Sequence, residues 1–211
     1  MAGKTPKSPK SPKVKSSSDS KAKAEAIDKA KAIAPDVPAR IGQTPETDLR
    51  GLPDVFGRLI EDHDRHRALL AMIEATDRKG DDRAKLFKEL VLELKSHAAA
   101  EEQALWSTVL RNPETTEFAR HAVAEHKDID KMLDDLTARD MGSKKWMERF
   151  AALKHEYLHH IAEEEQEQFV ASEAILTGAD RKYMRTVFNR RKKAEKEAAE
   201  LKPKLKVEDI A

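Results

Sequence analysis

Cysteine is absent, which removes disulfides, thiolate zinc sites, iron–sulfur clusters and thiol nucleophiles in one step. Any metal would have to be held by nitrogen and oxygen. Glycine is scarce, at 7 residues in 211, and aromatics make up only 5%. β-branched runs are few while Ala, Leu, Glu, Lys and Arg abound, which favours helices over strands. Uncharged apolar runs extend for only a few residues, so none spans a bilayer. No apolar stretch follows the N-terminal lysines; no secretory leader is expected, and the expected location is cytoplasmic. The length suits one domain of about 150 residues plus additional segments.

The net charge of +1 conceals a segregation. Residues 1–23 carry seven lysines and one acid, a net of +6, and residues 181–206 a net of +8. The intervening residues 24–180 sum to −11. In Lys4-Thr-Pro-Lys7-Ser-Pro-Lys10-Ser-Pro-Lys13 a proline every third residue forbids a helix, and few apolar groups offset the entropy of ordering. Residues 1–48 therefore read as a disordered tail and linker, with a weak helix between Ser20 and Ala34. Residues 49–176 form the expected bundle, and 177–211 a basic helix and tail.

From Pro53 the apolar pattern turns helical. Leu52, Phe56, Leu59, His63, His66, Leu70 and Ile73 keep the 4, 3 spacing of a packed stripe, which breaks around Gly80. A second helix, from about Asp82 to Leu110, carries Phe87, Leu90, Leu94, His97, Glu101 and Leu105. Asn112-Pro113 ends it, with Pro113 suited to open the next helix. That helix carries Ala119, Ala122, His126, Ile129, Leu133 and Leu136 up to Met141-Gly142-Ser143. Ser143 then suits the N-cap of a fourth helix bearing Trp146, Phe150, Leu153, Tyr157, His160 and Glu164. A fifth, strongly basic helix is expected from Asp180 to Leu201. Four long helices with short connections make an all-α, antiparallel up-down four-helix bundle.

The polar groups on these stripes are anomalous, because a packed seam prefers leucine. Each of the four helices places a histidine there, and two add a glutamate four residues on. His97 and Glu101, like His160 and Glu164, lie about 40° apart around the helix and one turn along it, so each pair faces one point. In an antiparallel hairpin, residues are level when the turn lies midway between them. The midpoints of His63/His97, Glu101/His126 and His126/His160 fall at Gly80, Pro113 and the Met141–Ser143 break. A shift of 63 residues maps His63 to His126, His97 to His160 and Glu101 to Glu164. It also maps Asp62 to Glu125, Phe87 to Phe150 and Trp106 to Phe169. Two similar hairpins would thus bring four imidazoles and two carboxylates to one cavity. Satisfied core histidines beside a solvated charged face are the plain alternative, but two matched motifs at one height weigh against it. Six such donors suit two first-row metal ions, with two histidines each and the glutamates bridging; iron comes first, manganese or zinc second.

Asp62-His63, His97-Ala-Ala-Ala-Glu101-Glu102, Glu125-His126 and His159-His160-Ile-Ala-Glu-Glu164-Glu165 resemble the hemerythrin-like, or HHE cation-binding, family over roughly Pro53 to Ile175. The resemblance implies a non-haem di-iron centre that binds dioxygen, nitric oxide or peroxide, or senses iron. Carried over by position, its metal ligands are His63, His97, Glu101, His126, His160 and Glu164. Oxygen carriers of the family have a further histidine where this chain has Ala122. The pattern is nearer to four-histidine members linked to iron sensing and to oxidative or nitrosative stress responses.

His66 reads as a core or supporting histidine rather than a ligand. His155, His159 and Glu163 form a row expected to face outward, and Glu163-Glu164-Glu165 reads as a solvated face apart from Glu164. Glu156-Tyr-Leu-His159 lies off the seam, which disfavours ferritin-like chemistry. An oxidoreductase of oxidative or nitrosative stress defence is the alternative function. Another is a nucleic-acid accessory protein acting through the basic tails, with Arg190-Arg-Lys-Lys193 as its cluster. The basic helix packing on the acidic bundle is the simpler account of the charge segregation.

Overall fold

The computed structural model describes residues 47–76 and 81–201; the expected tail, the weak helix at 20–34 and the turn at Gly80 lie outside them. Among the described residues every regular element is helical. Helix α1 is Val55–Ala75 and α2 is Asp81–Glu101, which continues through a π-helical turn, Glu102–Trp106, into the short α3, Ser107–Val109. Helix α4 is Thr116–Thr137. Helix α5, Lys144–Glu163, likewise runs through a π turn, Glu164–Gln168, into α6, Phe169–Ile175, and α7 is Gly178–Leu201. Cross-helix pairs give the directions. Arg65–Glu93 with Asp62–His97, Lys95–Asp134 with Glu102–His126, Arg149–Asp135 with His160–Glu125, and Lys154–Glu74 with Tyr157–His66 make each neighbouring pair of the four rods antiparallel. This is the four-helix bundle expected from the periodicity.

Local chemistry sets the ends. Asp54 caps α1 by accepting from the amides of Phe56 and Gly57 at 3.1 and 3.4 Å. Ser143 caps α5 by accepting from Trp146 N at 3.1 Å, as the sequence suggested. Pro113 does not open a helix. Asn112 Oδ1 accepts from Glu114 N, holding residues 110–115 in turns, so α4 starts only at Thr116. Arg83 ties one end of the bundle together, donating to the carbonyls of Thr76 and Met141 at 2.7 and 2.9 Å.

The core falls into two apolar clusters. One gathers Phe56, Leu59, Leu105, Trp106, Phe169 and Phe188; the other gathers Leu70, Phe87, Leu133, Trp146, Phe150 and Tyr157. The 63-residue correspondence appears in space, since Trp106 and Phe169 stack at 6.1 Å. Helix α7 runs parallel to α1, through Arg58–Asn189 and Asp62–Lys192, and packs on α1 and α2. Its basic character is thus partly answered by the acidic bundle. None of the described helices is long and apolar enough to cross a membrane.

Residues 47–53 fold back onto α1, with Gly51 at φ 77°, a left-handed conformation that favours glycine. A Cβ on Gly57 would meet the Leu52 carbonyl oxygen at 2.0 Å, where only backbone could yield. Gly57→Ala is therefore expected to cost about 2–3 kcal/mol and to lower the melting temperature by roughly 5–10 °C. An unchanged melting curve would contradict this close packing.

Candidate metal centre

Both His-x3-Glu motifs end at a π turn, one starting just after Glu101 and the other at Glu164. A π turn inserts one extra residue into the helical ladder and recurs at functional sites. Here it accompanies two consecutive carboxylates in each rod, Glu101-Glu102 and Glu164-Glu165, that all reach histidines of the layer. The sequence carries no sign of either π turn, although the doubled glutamates recur at matching positions of the two hairpins.

All six expected residues converge between the two apolar clusters, and all are buried. His63 Nε2 and His97 Nε2 lie 3.3 Å apart. Glu101 Oε2 is 3.5 Å from His97 Nε2 and 3.4 Å from His126 Nε2, so it stands between the hairpins. Glu164 does the same, with Oε2 3.4 Å from His63 Nε2 and Oε1 3.5 Å from His160 Nε2. Donor atoms of His126, His160 and Glu164 all lie within 4.8 Å of one another. Two donors on adjacent octahedral positions, each about 2.1 Å from a metal, would be about 3 Å apart, close to these separations.

Each imidazole is oriented by a carboxylate at its other nitrogen. His63 Nδ1 donates to Glu165 at 2.8 Å, His97 to Asp62 at 3.1 Å, His126 to Glu102 at 3.0 Å and His160 to Glu125 at 2.9 Å. In a neutral ring this places the proton on Nδ1, and in all four rings Nε2 faces the cavity. The four partners themselves correspond under the 63-residue shift. Glu165 corrects one expectation: it is fully buried, not part of a solvated face. Arg67 donates to it at 2.9 Å and Arg50 lies 3.8 Å away, so two long-range cations make its burial affordable.

No donor bonds any of the four carboxylate oxygens of Glu101 and Glu164, nor has His126 Nε2 a hydrogen-bond partner. Buried polar atoms without partners are costly, and this donor set fits the binding of a cation. Burial, with Glu101, Glu125 and Glu165 nearby, raises the Glu164 carboxyl well above its usual range. Burial acts the same way on Glu101, but His126 and His97 outweigh it and hold that carboxyl low. His63 is depressed to about 4 by burial, against the pull of Glu165. For His126 burial also lowers the pKa, yet Glu101 and Glu102 prevail and raise it to about 9.

The remaining histidines separate as expected. His155 and His159 are exposed. His66 is fully buried and shares a 2.5 Å hydrogen bond with the Tyr157 hydroxyl through Nδ1. His121 sits on the surface beside Glu125 and Glu163. An open cleft of about 440 Å³ between α2 and α4 reaches the layer, with His97, His126, Tyr157 and His160 among its lining and Leu94, Val123 and Ile129 along its walls.

A helical bundle that converges imidazoles and carboxylates at mid-height is built to hold a cation. A model of the hemerythrin HHE cation-binding domain matches residues 54–171, more than half the chain, and the chain belongs to that metal-binding family. It is also similar in fold to a hemerythrin HHE cation-binding domain-containing protein of Mycobacterium kansasii, at 22% identity and a TM-score of 0.65, covering 72% of this chain and 93% of that one. No curated protein matches.

Replacing the ionisable Glu164 tests the unpartnered carboxyl groups in the metal-free protein. With its folded pKa raised, Glu164 holds a proton that the unfolded chain has lost above about pH 4.5, so this group's contribution to stability falls as pH rises. Glu164→Gln should raise the melting temperature of metal-free protein, by about 1–3 kcal/mol in stability at pH 8 and much less at pH 5. A lower melting temperature at pH 8 would show that Glu164 is satisfied without metal.

Proposed function

We propose that this chain is a non-haem di-iron protein that binds or senses a small oxidant, either dioxygen, nitric oxide or peroxide, or that senses iron, in the cytoplasm. The observation that carries this reading is the set of unpartnered oxygens of Glu101 and Glu164 between two pairs of imidazoles whose Nδ1 atoms are already engaged. His63 and His97 would hold one ion and His126 and His160 the other, with Glu101 and Glu164 shared between them. When bound, an iron pair supplies redox steps and open coordination positions for a small ligand.

The protein's own residues do the rest. Asp62, Glu102, Glu125 and Glu165 orient the imidazoles, and the apolar clusters on either side limit water. The cleft between α2 and α4 offers a route to the layer for a small molecule. Ala122, fully buried, supplies no further donor from α4. Redox turnover as a stress-defence oxidoreductase is the second reading, favoured by that open route. Nucleic-acid binding draws less support: Lys192 and Lys196 of the basic helix are engaged inward by Asp62 and Glu93.

Protein purified from iron-supplemented cells should carry about two irons per chain and show near-ultraviolet charge-transfer bands, both lost in a His97→Ala, Glu101→Ala double variant. Protein that stays colourless and metal-free after anaerobic iron reconstitution would refute the assignment. Metal also competes with protons. His126, at about 9 in the metal-free protein, is charged at pH 7, whereas His63, at about 4, is neutral. Apparent zinc affinity in a competition titration should therefore climb between pH 7 and pH 9, by about tenfold per unit for each proton expelled, and then level off. A flat profile would contradict a site that includes His126.

A further inference from the structure

The family match ends at residue 171, yet the helix beyond it reaches the histidine layer. Met184, Phe188 and Lys192 recur every four residues and form the buried stripe of α7. Phe188 meets the His97 ring edge-on at 5.5 Å. Lys192 is only 5% exposed; its ammonium donates to Asp62 Oδ2 at 2.5 Å and forms an ion pair with Glu93, 2.7 Å from Oε2. Asp62 Oδ2 is the same oxygen that accepts from His97 Nδ1, while Arg58 holds Asp62 Oδ1 at 2.5 Å. Lys196 and Arg65 both bond Glu93 Oε1, at 2.5 and 3.1 Å, and fix the far side of Lys192. The Asp62 carboxylate is thereby locked from three directions.

The corresponding carboxylate in the other hairpin has no such lock. Glu125 accepts from His160 Nδ1, but its other oxygen faces His121, itself 54% exposed, at 3.5 Å. No lysine stands beside it among the described residues. Two hairpins alike in pattern thus have unlike surroundings: α7 packs on His97 and its partner Asp62, whereas Glu125, the partner of His160, lies beside an exposed histidine, and the cleft is lined by His126 and His160 as well as His97.

We infer that Lys192 is a positioning residue for His97, and that through it α7 makes the two halves of the centre inequivalent, the His63/His97 half preset and the His126/His160 half adaptable. This rests on the metal-centre reading above. The cause is pre-organisation. A locked Asp62 keeps the proton on His97 Nδ1 and Nε2 bare, so a cation entering that half reorganises nothing. Loss of such a supporting partner typically weakens metal binding by about 10–100-fold.

Anaerobic cobalt(II) titration of the full chain, followed by visible absorption, tests it. Wild type should bind two equivalents in resolved steps. Lys192→Met should weaken the tighter step about 10–100-fold and leave the other in place, Lys192→Arg should largely restore it, and Glu125→Gln should weaken the other step instead. Nitrogen-15 NMR of the metal-free protein gives a second readout: the His97 ring should be protonated at Nδ1 in wild type, with a mixed tautomer in Lys192→Met and no change at His160. If Lys192→Met does not fold, Lys192→Gln against Lys192→Arg gives the same comparison. A variant that melts lower yet keeps both cobalt steps and the His97 tautomer would reduce Lys192 to packing and overturn the inference. Failure of wild type to bind cobalt would instead strike the metal-centre reading, and the NMR comparison would still decide the role of Lys192.

Discussion

Glu101 and Glu164 lie at the middle of the bundle, fully buried, with no donor bonded to any of their four oxygens. The groups nearest to them are the four imidazoles, each with its Nδ1 held by a different carboxylate. Placing two carboxylates there costs several kcal/mol unless a positive charge joins them. Much of the surrounding architecture can be understood from that constraint. The core divides into two apolar clusters on either side of the layer, four further carboxylates hold the imidazoles in place, and Arg50 and Arg67 compensate the deepest of these, Glu165.

The approximate two-fold relation of the hairpins explains how one chain supplies such a layer economically. Each hairpin contributes two histidines and one glutamate to the cavity, and each histidine is braced by a carboxylate that is itself duplicated. Bracing crosses between hairpins for His63 and His126, which use Glu165 and Glu102, and stays within them for His97 and His160. Separating the hairpins would therefore disturb the layer even if both stayed helical. Helix α7 breaks the symmetry, since it packs mainly on α1 and α2 and leaves the face between α2 and α4 open.

Much of this was legible in the sequence because the relevant signals are local or periodic. Histidines on a 4, 3 stripe must face the core, and turns midway between them set their heights, so the six layer residues and the fifth helix could be read directly. What escaped depends on contacts made at long range. Glu165 looked solvated within a run of three glutamates, and its burial needs Arg50 and Arg67, which lie about a hundred residues away in the chain. Lys192 resembled every other cation in Arg190-Arg-Lys-Lys193, and only the parallel course of α7 along α1 brings it to Asp62. Neither π turn announces itself in composition, since it is a backbone response to packing. Pro113 is equally suited to a turn held by Asn112, and α4 therefore starts at Thr116.

The central claim is that the histidine layer holds a pair of metal ions through Nε2 atoms and two shared carboxylates. Anomalous diffraction at the iron edge from crystals of iron-loaded protein addresses it most directly. The account predicts two peaks in the layer, one about 2.0–2.2 Å from His63 and His97 Nε2 and the other equally near His126 and His160 Nε2, with Glu101 and Glu164 between them. A peak only at the surface cluster of His121, Glu125 and Glu163, or no peak in an iron-replete sample, would contradict it.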